Sequence, residues 1–429
     1  MKVKPKAAVY WYTLRTPKVT PLSRDLSVDV VIAGGGIAGL MCAQKLKAEN
    51  KNLRIAVVES TVCGGGASGK SSGFITPDSE LELSDLVKIY GPHDARRLWD
   101  FARGGVNSIR DTVSKRSLKC DFVVQDSLFI ANDKKGLDKV KYEYDVHRKL
   151  GYDAWFYDKE KVEKVIGSQA YEGAVRSKET FGIVSYLFCQ ELKESLLREN
   201  ILIFEETPVI EITNERLVTK NYAITAEKII VCTDRFLPDF RLAEKEIYSA
   251  QTFLAVSRPL PYKVVQDLFP HGPMMVWDTD LIYQYYRIVQ GNRLLLGAAS
   301  LFYTYRGKEK RYAPRVLRKM QKYLKAKFPS LKIEFEYFWP GLIGVSKDFL
   351  PIIGQDPVMR NVSFIGACAG LPWAAAAGEY IAERLVHGRK DLDDMFSPER
   401  RFPINRQAQI VLSKPLSFAI SHAIKKYFL

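Results

Sequence analysis

Gly34-Gly35-Gly36-Ile37-Ala38-Gly39 stands directly after the apolar run Val28-Asp29-Val30-Val31-Ile32-Ala33. Leu40 to Lys47 then has a helical pattern, and a second apolar run, Ile55 to Val58, ends at Glu59. Strand, glycine turn, helix, second strand and terminal acid are the parts a dinucleotide site requires. Gly34 permits the tight turn, Gly36 lets the backbone approach a pyrophosphate, and Gly39 lets the helix pack close to the sheet. Ile37 and Ala38 open that helix, whose amino terminus favours negative charge. Glu59 is placed for a pair of ribose hydroxyls, with Ser60 beside it.

Further segments carry residue types suited to the same ligand. Gly64 to Gly73 is almost entirely glycine, alanine and serine. So many small residues cannot pack a core of their own, but they let the chain lie against a cofactor. Gly66, Ala67, Ser68, Ser71 and Ser72 are expected contacts. Lys70 adds a cation for pyrophosphate or for charge on the reduced cofactor. A flexible surface loop is the plain alternative. Val209 and Thr233, in segments leading toward the nucleotide, are counted with the cofactor contacts. Gly366 to Pro372 forms a second small-residue turn, with a helix beginning near Trp373. Gly370, with Leu371 and Pro372 beside it, is the strongest candidate for a catalytic face, because free backbone donors there would stabilise developing negative charge. Tyr283, Tyr285 and Arg287 share one face of a strand, which would offer substrate an aromatic wall and a cation for a carboxylate. Trp277, Trp339 and Trp373 are further wall candidates.

The elements that hold these groups alternate between two kinds. Parallel-type segments lie before and after an antiparallel block, which implies an inserted domain rather than a tandem one. The expected fold is therefore α/β and α+β: a discontinuous Rossmann-like domain with an antiparallel-sheet substrate domain. Residues 28–120, 165–247 and 336–392 are assigned to the first, and 121–164 and 248–335 to the second. Residues 1–27 read as an arm anchored by Trp11. The tail, 393–429, is basic and apolar, and its last segment, 417–429, can form a helix suited to an anionic membrane.

The chain has 429 residues, with 47% hydrophobic and 26% charged, an ordinary globular composition. Its formal charge of +15 suits an acidic partner, yet basic residues do not alternate with aromatics as in a nucleic-acid module, so no nucleic acid is expected. The six cysteines are scattered and the five histidines form no ligand spacing. Neither a metal site nor a disulfide framework is expected, and reduced thiols suggest a cytoplasmic setting. No apolar run reaches the length of a membrane span.

Several of these segments together resemble the flavin-dependent D-amino-acid oxidase and glycine or sarcosine oxidase family, most nearly its gamma-glutamylputrescine oxidoreductase branch. Gly34 to Gly39 with Glu59 match its fingerprint. Gly66 to Gly73 matches its small-residue stretch, with Lys70, Ser71 and Ser72 where arginine, asparagine and glycine are usual. Trp339 to Asp348 with Leu350 to Gly354 match a late motif, and Gly366 to Pro372 a glycine turn. The resemblance covers Tyr10 to Leu392. It implies FAD, held without a covalent bond, because Cys368 lies outside the segment that carries the attaching cysteine in relatives. It also implies Gly341 and Asp348 as cofactor contacts, Asp348 toward the ribityl chain. The implied reaction removes a hydride from the carbon bearing an amine, giving an imine and reduced flavin that oxygen reoxidises. Ala369 and Pro372 replace a histidine and a lysine of relatives acting on small N-methyl amino acids, which disfavours sarcosine. Two other readings stand beside this one: a peripheral-membrane dehydrogenase passing electrons to quinone, and a flavin-binding electron-transfer or interaction protein without amine turnover.

Overall fold

The apolar run before the first glycines extends as the strand Leu26–Ala33. It lies between Ala223–Val231 and Ile55–Val58, parallel to both. Val31 and Ile32 have no exposed surface, as expected for a strand covered on both faces. In the computed structural model, which describes residues 4–78, 80–280, 282–299, 305 and 309–427, this strand is central to an eight-stranded sheet. The other members are Leu202–Phe204, Val209–Ile212, Arg216–Thr219, Ile352–Gln355 and Val362–Gly366. Three separated stretches of chain thus build one sheet.

Helix Ile37–Glu49 follows the glycine turn. A Cβ on Gly39 would collide with the Gly34 carbonyl oxygen, and one on Gly378 with that of Ala38. The second contact brings helix Leu371–His387 against the first. Helix Leu83–Arg116 packs on it in turn, where Gly105 meets the Pro372 carbonyl. That helix is interrupted at Gly91, which has φ 78° and ψ 165°, outside helical geometry.

The second sheet runs in the order Phe335–Val345, Tyr248–Ser257, Arg293–Ala299, Gln284–Val289, Met275–Asp278, Ser127–Ala131, Gly173–Ser177, Trp155–Asp158. Its neighbours are antiparallel except Met275–Asp278 with Ser127–Ala131. Gly173–Ser177 and Phe335–Val345 depart from the sequence boundaries, which place them with the nucleotide-binding segments. Backbone pairing takes them instead: Val175 pairs with Phe129, and Trp339 with Leu254. Helix Pro314–Lys327 buries Val316, Leu317, Met320, Tyr323 and Leu324, and its basic face turns outward.

Among the described residues, both terminal segments pack on the fold. Trp11 is fully buried, edge-on to Trp339. The tail forms helices Arg406–Leu412 and Lys414–Tyr427. Pro415 lies in the first turn of the second helix, where its missing N–H costs nothing. Part of the apolar side packs on the protein, while Ile410, Val411 and Leu416 are exposed. Phe418 is buried with Ala250 and Val345, and His422 Nε2 donates to the Ser346 carbonyl at 2.7 Å. Among the described residues no helix is long and apolar enough to cross a membrane.

Candidate active site

Between the two sheets lies a cavity of about 680 Å³. Its nucleotide end is built by the glycine turn. Gly34 has φ 111°, and a Cβ there would strike the Cys232 carbonyl. Gly36 caps helix Ile37–Glu49 without a side-chain hydrogen bond, leaving amides of the first turn for another acceptor. Gly34, Gly36 and Ala38 line the cavity, with Glu59 and Ser60 at the end of the second strand. The Glu59 carboxylate is oriented by the Gly35 and Thr61 amides, each at 2.9 Å. Ile37 and Gly39 do not line the cavity. The Ile37 amide donates to Ser68 Oγ at 3.1 Å, and Gly39 provides the close helix packing described above.

The small-residue loop is not a loose surface loop. Tyr12 Oη donates to the Gly65 carbonyl at 2.7 Å, Trp339 Nε1 to Lys70 at 3.1 Å, and Trp11 Nε1 to Ser71 at 2.9 Å. Ser185 Oγ donates to the Ser68 carbonyl at 2.6 Å. Distant side chains thereby hold a backbone that has almost none of its own. Gly66, Ala67, Ser68, Lys70, Ser71 and Ser72 all line the cavity, as do Val209 and Thr233. Lys70 Nζ lies 3.6 Å from Glu309 Oε2.

Three further expected site residues lie off the cavity lining. Arg287 is fully buried behind the wall: Nε donates to the Ser72 carbonyl at 3.0 Å and a terminal nitrogen to Ile183 at 2.7 Å. Period two puts it on the same strand face as Tyr283 and Tyr285, but it is not among the residues lining the cavity; it holds the 72–73 loop, and its other terminal nitrogen is buried without a partner among the described residues. Asp348 does not meet the cavity; both its oxygens engage Arg400, at 2.8 and 2.7 Å. Gly341 lies in strand Phe335–Val345 paired with Thr252, and its neighbours Leu342 and Ile343 line the cavity instead.

The opposite end is aromatic and acidic. Tyr283 and Tyr285 line it as expected, with ring centres 5.6 Å apart. Gly297 on the neighbouring strand makes room, since a Cβ there would overlap the Tyr285 ring. Phe74 meets Tyr285 edge-on at 5.6 Å, and Trp277 joins them. Trp277 Nε1 donates to Glu82 Oε1 at 2.8 Å. Burial, reinforced by Asp78 and Glu143, holds the Glu82 carboxyl well above the usual range. Asp78 accepts from Thr76 Oγ1 at 3.1 Å, and burial pushes its carboxyl up to about 7. Tyr283 Oη donates to Glu80 Oε1 at 3.2 Å. Gly370, Leu371 and Pro372 close this region; Gly370 has φ 126° and caps helix Leu371–His387 without a side-chain bond.

Sequence reasoning missed Asp78, Glu80 and Asp234. An acidic stretch in a chain of +15 was an available signal for the first two. Asp234 follows a parallel strand end, where ligands gather in open α/β sheets. Its carboxylate accepts from Gly344 at 2.7 Å and Ala367 at 3.0 Å, joining the wall strand to the glycine turn. Trp339 and Trp373 support the wall: Trp339 through Lys70, and Trp373 by donating to Pro77 at 3.0 Å. Among the described residues, no cluster of histidine, cysteine, aspartate or glutamate could hold a metal.

The model of the DAO family, described as FAD dependent oxidoreductase, matches residues 29–384. The chain belongs to this family. It is 24% identical over 379 residues to the probable oxidoreductase OrdL of Haemophilus influenzae, covering 85% of this chain and 84% of that one. It is likewise 24% identical over 415 residues to gamma-glutamylputrescine oxidoreductase of Escherichia coli, covering 93% and 94%. The fold matches that of glycine oxidase from Geobacillus kaustophilus with a TM-score of 0.73 at 19% identity, over 88% of this chain and all of that one. These relatives bear different activities at similar distance, so no branch is singled out.

The cavity fits the FAD that the family uses. Thr233 Oγ1 is buried at its wall without a partner among the described residues, and two helix amino termini open onto it. The first glycine turn, Glu59 and Ser60 would hold the adenosine and pyrophosphate. The 66–72 loop and the Gly370 turn would flank the ring, where FAD supplies a two-electron acceptor.

Proposed function

We propose that this oxidoreductase oxidises an amine at the carbon bearing nitrogen. The carrying observation is a single cavity that joins a dinucleotide cradle to an aromatic, carboxylate-bearing chamber closed by the Gly370 turn. In the substrate, one C–H bond breaks with its electron pair, nitrogen loses a proton, and a C=N bond forms. The imine then takes up water. Gamma-glutamylputrescine oxidoreductase and glycine oxidase, among its relatives, support that reaction class by their names.

The protein's part is orientation and electrostatics. Tyr283 and Tyr285 form a wall, and burial keeps both phenols protonated, so neither serves as a base at neutral pH. The Leu371 amide has no acceptor within its helix, and Pro372 has no N–H, so the turn offers a directed donor for negative charge on the ring. Lys70 supplies a cation along the same cavity. FAD is held non-covalently: Cys368 lines the cavity, but burial raises its thiol well above the usual range and removes the nucleophilic thiolate.

Anaerobic mixing with a panel of amines and amino acids tests this reading. Bleaching of the flavin absorbance by at least one amine is expected. Failure of every member to bleach an FAD-loaded preparation contradicts it. Oxygen is the proposed acceptor, read as peroxide release in air; dye-linked turnover without peroxide would reassign the enzyme as a dehydrogenase.

A further inference from the structure

The tail leaves part of its apolar surface in water, and its charge is of one sign. From Arg400 onward the sequence holds six basic residues, Arg400, Arg401, Arg406, Lys414, Lys425 and Lys426, and no aspartate or glutamate. Helices Arg406–Leu412 and Lys414–Tyr427 meet at Ser413, whose φ of 66° and ψ of 155° end the first helix. Large apolar side chains gather at that junction. Ile410 and Val411, in the last turn of the first helix, are 76% and 86% exposed, and Leu416, in the first turn of the second, is 48% exposed.

The rest of the hairpin fixes how this apex stands. Gln409, Ser417, Phe418, Ser421 and His422 are buried. Arg406 Nε donates to Glu246 Oε1 at 2.8 Å, and Lys414 Nζ donates to the Glu244 carbonyl. The Lys347 ammonium lies 5.9 Å from the centre of the Phe418 ring. Leu416 and Phe418 are two residues apart, about 200° round a helix. Rolling the helix to cover Leu416 would therefore pull Phe418 out of its contact with Ala250 and Val345. The fold holds the apolar apex outward.

The size and charge of this patch favour one kind of partner. A stable protein partner buries about 800 Å² on each side, which three side chains on a helix junction cannot supply by themselves. A bilayer surface asks for less: a few apolar side chains that reach the acyl boundary, with cations among anionic headgroups. We propose that Ile410, Val411 and Leu416 dip into the surface of a membrane containing anionic lipid, with the basic residues of the tail facing its headgroups. The contact is peripheral, and it is independent of which amine the enzyme oxidises.

The test sediments the FAD-loaded full-length protein with vesicles of phosphatidylcholine alone and of phosphatidylcholine mixed with phosphatidylglycerol. Binding to the mixed vesicles should be about tenfold tighter or more, and should weaken as salt rises. Combining Ile410→Ser, Val411→Ser and Leu416→Ser should weaken that binding by about tenfold or more, with flavin content and melting temperature unchanged because all three sites are exposed. An environment-sensitive fluorophore on Val411→Cys should brighten and shift to the blue on mixed vesicles only, and serves if the serine variant fails to fold. Sedimentation with neither vesicle would overturn the proposal. Equal binding by wild type and the folded serine variant, or a label that stays in water on bound protein, would overturn it too, leaving adsorption by charge alone. A wild-type dimer in light scattering that becomes a monomer in the serine variant would give the patch to a second copy of the chain and overturn it likewise.

Discussion

Replacing Arg287 with methionine would strand the carbonyls of Ser72 and Ile183 inside the wall. Each buried acceptor left without its donor costs about 1–3 kcal/mol. The expected outcome is a loss of about 2–4 kcal/mol in stability with weakened FAD retention, measured by denaturant melts and by flavin released on gel filtration. A KM effect restricted to carboxylate substrates, with stability unchanged, would restore Arg287 to the substrate site. Asp78 gives a prediction in pH. Around it stand the Thr76 hydroxyl, Glu82, Glu143 and His147. Burial raises its carboxyl from 3.8 to about 7, so the folded state holds a proton that the unfolded chain has released. The stability this contributes is complete below pH about 4 and is lost as pH rises through about 7. Asp78→Asn should therefore flatten the decline in melting temperature across that interval. A parallel decline in wild type and variant would remove Asp78 as its source.

At the scale of elements, contacts between backbones matter more than any one side chain. Helix Ile37–Glu49 touches Gly34 through Gly39 and touches the late helix through Gly378. Gly39→Ala puts a methyl group into the Gly34 carbonyl and should cost about 1–3 kcal/mol by overpacking, with loss of FAD binding ahead of loss of secondary structure. Circular dichroism and flavin content read the two separately. The tail is a second element with a testable duty. Arg400 holds Asp348 and the carbonyls of Leu350 and Pro351, just beyond the wall strand. Truncation after Leu392 would leave Asp348 buried without its cation, which costs about 3–5 kcal/mol. A shortened protein with unchanged melting temperature would show the tail to be an appendage. The first helix and its glycines were legible in sequence because a phosphate turn has a local pattern. The tail's docking was not. An apolar face with basic flanks suits lipid and protein equally, and only the partners of Phe418 and Arg400 show which part of it packs on the protein.

Over the whole molecule, the sequence displayed the cofactor end far better than the substrate end. Glycine spacing, strand runs and the late turn are local signals, and the cavity gathers nearly all the residues they name. Arg287 shows why the other end is harder to read. Strand periodicity correctly aligns it with Tyr283 and Tyr285, yet it cannot reveal that the guanidinium holds the 72–73 loop and does not line the cavity. Asp78 and Glu80 were overlooked because they lie between the small-residue stretch and helix Leu83–Arg116, where no spacing marks them. The domain division suffered similarly: the sheet that takes Gly173–Ser177 and Phe335–Val345 is set by pairing with strands distant in sequence, such as Ser127–Ala131 and Tyr248–Ser257.

The central claim is that an amine delivers hydride within this cavity to bound FAD. Its most direct measurement is anaerobic, stopped-flow reduction of the flavin by the amine of the panel that bleaches it fastest, compared with the same compound carrying deuterium on the carbons next to nitrogen. The account predicts flavin bleaching that slows severalfold with deuterium, together with an aldehyde product formed by hydrolysis of the imine. Bleaching insensitive to deuterium at every concentration, or no bleaching by any amine, would contradict it.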